Sequence, residues 1–194
     1  MNQTITKHVL LFVVLIMPSK HALALDVKSV AAAGSGCKAS EKLQVSASDN
    51  NLEIMLPELK TEGATGKKIF RSNCNISIAL DSDSGKQFKA AAINAPYEAS
   101  GSSTDKLSLN FKLWFQGESK TTLLDHNIDT SKGSDSSHEL SLPVSEDNWS
   151  ACKKEKVFNA GVSFIGKNQN GFSKEYILKL AKGLKIQLLW RPCS

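Results

Sequence analysis

The chain runs to 194 residues, with 24 Lys and Arg against 19 Asp and Glu and a formal net charge of +5. Two of those cations, Lys7 and Lys20, lie in a leader read as cleaved. The small excess that remains, with no basic helix and no interleaved aromatic cluster, excludes a nucleic-acid binder. The length left after cleavage suits one domain with a proper core.

Lys7 opens a short positive region, Val9 to Met17 is an unbroken apolar run, Pro18 ends it, and Ala22-Leu23-Ala24 has the small-x-small pattern of a cleavage site. Residues 1–24 therefore read as a secretory signal peptide. The apolar run reaches only about half of the ~20 residues a spanning helix needs, and no later segment comes closer, so no transmembrane segment is expected in the mature chain. Residues 25–194 are expected as a single domain, secreted or periplasmic. Cys37, Cys74, Cys152 and Cys193 all lie in that exported part, which favours two disulfides, although spacing alone leaves three pairings open. The close-spaced cysteine pairs of a structural zinc site are missing.

Leu25 to Ser35 reads as an extended lead-in, and Gly34-Ser35-Gly36 lets the backbone turn before Cys37. Leu43, Val45 and Ala47 alternate with polar residues, Ser48 to Asn51 supplies a turn, and Leu52, Ile54 and Leu56 alternate again, which is a hairpin. Thr61 to Lys68 reads as a loop. Cys74, Ile76, Ile78 and Leu80 share one side of a strand, Asp81 to Gly85 is a turn, Phe88 to Ile93 is a strand, and Ala99 to Asp105 is a loop.

The strongest alternation follows, with Leu107, Leu109, Phe111, Leu113 and Phe115 against Ser108, Asn110, Lys112, Trp114 and Gln116. Asp129 to Ser137 reads as a surface loop, and Leu140 and Leu142 before Pro143 as a short edge strand. Ala160, Val162 and Phe164 mark another strand. Residues 173–182 fit a short helix capped by Ser173 or a strand. The strand is preferred, because a hairpin would give Leu184 to Trp190, the last alternating stretch, a neighbour.

Short strands broken by turns predict an all-β antiparallel sandwich or jelly-roll-like domain stapled by two disulfides. If the first three strands run up, down and up, Cys37 and Cys74 share one end of the sheet. If the Ala160 strand and the last strand run antiparallel, so do Cys152 and Cys193. Those are the predicted pairs.

Ser29-Val30 with Gly34-Ser35-Gly36-Cys37, Asn73-Cys74, Phe115-Gln116-Gly117, Trp149-Ser150-Ala151-Cys152 and Leu189-Trp190-Arg191-Pro192-Cys193 resemble the conserved blocks of the secreted four-cysteine family catalogued as domain of unknown function 4360. Lys38 stands where that family usually has Pro, and the Arg-Gly common after its second Cys block has no counterpart near Ala90 to Ala95, so the resemblance is to a divergent member. It implies a small exported domain of bacteria and fungi and brings no catalytic residue.

A hydrolytic triad would have to use His126 or His138, since no other histidine follows the leader, and both sit in polar stretches that read as surface loops. Asp125, His126, Asp129, Asp135, His138 and Glu139 offer metal-type donors, but their spacing matches no known loop and a solvated acidic face explains them as well. No metal, cofactor or catalytic residue is therefore expected. Trp114, an indole on the polar side of its strand, is the candidate ligand contact; the bland reading is that another sheet or loop covers it. Trp149 and Trp190, each three residues before a Cys, read as core pieces against the disulfides. Asn75-Ile76-Ser77 and Asn148-Trp149-Ser150 fit the N-glycosylation sequon, which matters only in a eukaryotic host. The expectation is a non-catalytic binding or structural module for an extracellular or cell-surface ligand. The alternative is an enzyme or binding domain acting on extracellular polysaccharide.

Overall fold

The computed structural model describes residues 25–37, 43–48, 50–56, 60–63, 65–82, 85–100, 105–130, 136–172, 176–181 and 183–193. The expected signal peptide, residues 1–24, lies outside them. Every regular element in the described residues is a strand, and every pairing is antiparallel, so the fold is all-β. No helix among them is long and apolar enough to cross a membrane.

The front sheet is ordered β1 (Asp26–Ala33), β5 (Ile69–Asp81), β12 (Glu155–Lys167), β8 (Lys106–Phe115), β9 (Thr121–Ile128). Period-two patterning decides which side faces in. On β8 the five apolar residues from Leu107 to Phe115 are all buried, on β5 Cys74, Ile76, Ile78 and Leu80, and on β12 Phe158, Ala160, Val162 and Phe164.

The back sheet is bent. One half is ordered β11 (Ser141–Pro143), β6 (Lys86–Asn94), β14 (Leu184–Pro192), β3 (Asn51–Met55), β2 (Gln44–Ser48), and the other β10 (Ser136–His138), β7 (Tyr97–Ser100), β13 (Tyr176–Leu180), β4 (Lys60–Gly63). Four strands of one half thus continue, after a few residues, into the strand at the same place in the other. Backbone bonds from Ala95 to Leu140 and from Ala181 to Pro96, 2.9 and 2.8 Å, carry the ladder across the bend. Gly183 sits there at φ +87°, and a Cβ would lie 2.3 Å from the Ile54 carbonyl oxygen. No other residue type fits that position.

Between the sheets, Phe88 meets Phe115 edge-on at 5.2 Å and lies 5.1 Å from Trp190 and 6.4 Å from Phe158. Each such pair adds ~0.5–1.5 kcal/mol beyond the area it buries. Trp190 packs against this core as expected.

Cys37 is bonded to Cys74, and Cys152 to Cys193. The second pair lies at strand ends as expected, and the route of the first differs. Cys74 lies on the inner side in mid-β5, and Cys37 follows β1, where the Gly36 amide donates to the Asn73 carbonyl at 2.8 Å. Cys152 precedes β12 and Cys193 follows β14, so the second bond ties the central strands of opposite sheets together.

Several local expectations are corrected. The extended lead-in is edge strand β1, paired with β5. The loop read from Thr61 overlaps β4, the one read from Ala99 begins inside β7, and the one read to Ser137 ends in β10. The stretch from Thr121, which carries no strand signal of its own, is edge strand β9, paired with β8. Residues 176–180 form a strand, but β13 pairs with β4 and β7 rather than folding back on β14.

Candidate binding face

Strand order gathers distant residues onto the outer side of the front sheet. In register across it run Asn75, Gly161, Lys112 and Leu123; beside them Asn73, Ser163, Asn110 and Asp125; and on the other flank Ser77, Asn159, Trp114 and Thr121. A depression of about 500 Å³ opens in the middle. Gly161 forms its floor, because an added Cβ there would meet the Asn75 Oδ1 at 2.9 Å and the Lys112 Cβ at 3.4 Å. β12 contributes no side chain at this point of the lining. Leu123, 63% exposed, rises at one edge.

The amides around the floor are partly held and partly free. Asn110 donates to Asp125 Oδ1 and accepts from Ser108 at 3.4 Å. Asn73 Oδ1 accepts from Ser35 at 3.0 Å, and Asn159, 5% exposed, accepts from Ser77 at 2.5 Å. The exposed Asn75 amide has no hydrogen-bond partner among the described residues. An amide that both donates and accepts matches a hydroxyl group, which does the same.

Trp114 stands beside this depression, half-buried on the outer side, with the Lys112 ammonium 5.1 Å from its ring centre. No second sheet lies over it, since the back sheet packs on the opposite side of β8.

The remaining candidates fall elsewhere. His126 and His138 are not loop residues. They lie on β9 and β10, and both reach Tyr97 of β7, whose hydroxyl is 3.1 Å from His126 Nε2 and whose ring stacks on His138 at 5.0 Å. His126 points inward, so burial lowers its pKa, with the nearby His138 adding to the effect; burial likewise raises that of Tyr97, with Asp129 adding to it. Asp125 points outward from the same strand, which separates it from His126. No group of three or more His, Cys, Asp or Glu poised for a metal occurs among the described residues, and Asp135 lies outside them.

Trp149 is not a core piece. Its ring is caught between Arg191 at 4.1 Å and Lys89 at 5.3 Å, and its indole N–H donates to Asp147. Next to it, the Ser150 N–H donates to the Phe88 carbonyl, the Phe88 N–H donates to the Ser150 hydroxyl, and the Ser150 carbonyl accepts from Gln87. The segment before Cys152 is thus clamped to β6. Of the two sequons, Asn75 is exposed, whereas Asn148 is buried and donates its amide to the Lys120 carbonyl at 3.2 Å.

No curated protein matches the sequence. Among solved structures, the carbohydrate-binding module TmCBM27, described as recognising mannan, is 10% identical with a TM-score of 0.36, covering 88% of this chain and 99% of that one. TmCBM61, solved with β-1,4-galactotriose, is 7% identical with a TM-score of 0.32, covering 84% and 88%. An enzymatically active domain of a Bacteriophage CBA120 tailspike protein is 10% identical with a TM-score of 0.30 over 85% of this chain, which spans only 19% of that longer chain. Likenesses this low carry no ligand or activity across. The sequence profile described as Domain of unknown function (DUF4360) matches residues 24–193, and the chain belongs to that family.

Proposed function

We propose that this protein is a non-catalytic binding module, exported to the periplasm or beyond the cell, that holds a polysaccharide strand on the outer side of its front sheet. The observation that carries the reading is the glycine-floored depression walled by asparagines, with the half-buried indole of Trp114 beside it. Sugar hydroxyls find paired donors and acceptors in the amides, and a sugar ring finds an apolar plate in the indole. The leader and the two disulfides support export, since such bonds persist in oxidising compartments.

Catalysis on the same polymer is the second reading. Glycoside cleavage ordinarily needs two carboxyl groups facing one another across the bond. Asp125 is the one acid among the residues lining the depression, and Asn110 already engages it, so binding without cleavage is favoured.

Gly161→Val fills the floor with a good strand former. The expected result on a glycan array is loss of binding by Gly161→Val and weakening by Trp114→Ala, with unchanged circular dichroism. A purified protein that binds no glycan, or binds equally well with the depression filled, would sink the reading.

A further inference from the structure

We propose that the strand bound at this face is an acidic polysaccharide, one bearing carboxylate or sulfate groups; the inference rests on the binding face described above and specifies its ligand. Cross-strand register sets Lys167 of β12 directly opposite Lys106 of β8. Arg71 lies two residues along β5 from Ile69, the other neighbour of Lys167, and Lys112 lines the depression. All four cations are exposed.

Like charges placed directly opposite on neighbouring strands repel and destabilise the pair. Five lysines elsewhere meet carboxylates, Lys28 and Lys154 at Asp81, Lys89 at Asp147, Lys179 at Glu98 and Lys185 at Glu53, while Lys67, Lys68, Lys120 and Lys153 meet none among the described residues. Among the described residues, Arg71, Lys106, Lys112 and Lys167 have no such carboxylate partner. Asp125, the one acid among the residues lining the depression, is held by Asn110.

From Asn159 to Lys167 the face extends ~27 Å along β12. A polymer lying along it would cross the indole, then the amide-lined depression, then the cation cluster. A neutral glycan leaves the repulsion between Lys106 and Lys167 in place, whereas an anionic group over that end relieves it. The Lys112 ammonium lies over the Trp114 ring, so a sugar that takes this ring face displaces it toward the sugar's edge, where an acidic substituent would meet it.

The experiment is a binding titration of the purified protein at low and high salt against polygalacturonate, a sulfated galactan, a neutral galactan and single-stranded DNA. The expected result is salt-sensitive binding to one or both acidic glycans; the first two arms distinguish carboxylate from sulfate. Arg71→Gln and Lys167→Glu should each weaken that binding about tenfold or more, the value of one hydrogen bond to a charged group. Lys167→Glu also replaces a repulsive pair with an attractive one, so its melting temperature should hold or rise; the lost affinity is then not a folding defect. Salt-insensitive binding of the neutral galactan, unchanged by either variant, would overturn the acidic ligand and leave the binding face standing. Binding of DNA as tight as of any glycan would overturn it as well, and no binding to any glycan would overturn both.

Discussion

The Tyr97 hydroxyl lies 3.1 Å from His126 Nε2, joining the back sheet to edge strand β9 of the front sheet. His138 stacks on the ring of the same tyrosine, and burial together with that second imidazole lowers the His126 pKa.

A group whose folded pKa is depressed below its unfolded value near 6.5 takes up its proton first in the unfolded chain. The contribution of His126 to stability is therefore complete above about pH 7 and shrinks as the pH falls through about 6.5. The melting temperature should drop between pH 8 and pH 5.5, a window above ordinary carboxylate titration. His126→Gln, which still reaches Tyr97 with a neutral polar group, should flatten that slope. An equal slope in wild type and variant would show that His126 titrates alike in the folded and unfolded chains.

The disulfides close stretches of 37 and 41 residues. In the chain-entropy account each contributes on the order of 4 kcal/mol by restricting the unfolded ensemble. Replacing either pair with serines should lower the unfolding free energy read from urea denaturation by a comparable amount, and the midpoint with it. The Cys152–Cys193 variant should also free the segment around Trp149, read as faster amide exchange at Ser150 and Phe88. A midpoint that does not move under reducing conditions would contradict this.

Much of the fold was legible because burial imposes a period of two. Strand β8 shows it without interruption, and it is the strand whose whole apolar side is buried. Strand β9 escaped notice because its pattern is inverted where it matters: Leu123 points to solvent and His126 inward, so hydropathy gives no alternation. The bend of the back sheet was hidden for a related reason. Nothing local states that β13 and β14 occupy one position in two halves of a sheet. Trp114 was visible as an indole out of phase with its strand. The depression beside it was not, since its asparagines and its glycine come from segments up to 88 residues apart that only strand order brings into register. Asn75 is marked in the sequence only by its sequon, a signal unrelated to its place on the face.

The indole of Trp149 holds two cations and one carboxylate at the edge of β6. Trp149→Ala should cost ~1–2 kcal/mol, the range of partly exposed cation–π contacts, with Arg191 and Lys89 losing their platform. Trp149→Phe keeps the ring and loses only the bond to Asp147, so it should cost less. The Trp149 N–H is the first cause holding the Asp147 carboxyl below its usual range, followed by Lys89, so the Asp147 pKa should rise in both variants when followed by carboxyl NMR. Equal cost for the two substitutions would remove the stacking argument.

Two glycines separate scaffold from face. At Gly183 the backbone is left-handed and the obstacle to a Cβ is the Ile54 carbonyl, which cannot move without breaking the β3–β14 ladder. Gly183→Ala should therefore cost about 3 kcal/mol or more, from the conformational penalty of ~1–2 kcal/mol plus the clash. At Gly161 the backbone is ordinary strand, and the nearest obstacle is the end of the Asn75 side chain, which swings aside freely. Gly161→Ala should leave the unfolding free energy within roughly 0.5 kcal/mol of wild type while displacing Asn75 from the depression. If Gly183→Ala folds with wild-type stability, the bend in the back sheet does not depend on that position. If Gly161→Ala unfolds the protein, the missing side chain on β12 is a packing requirement of the sheet rather than space kept for a ligand.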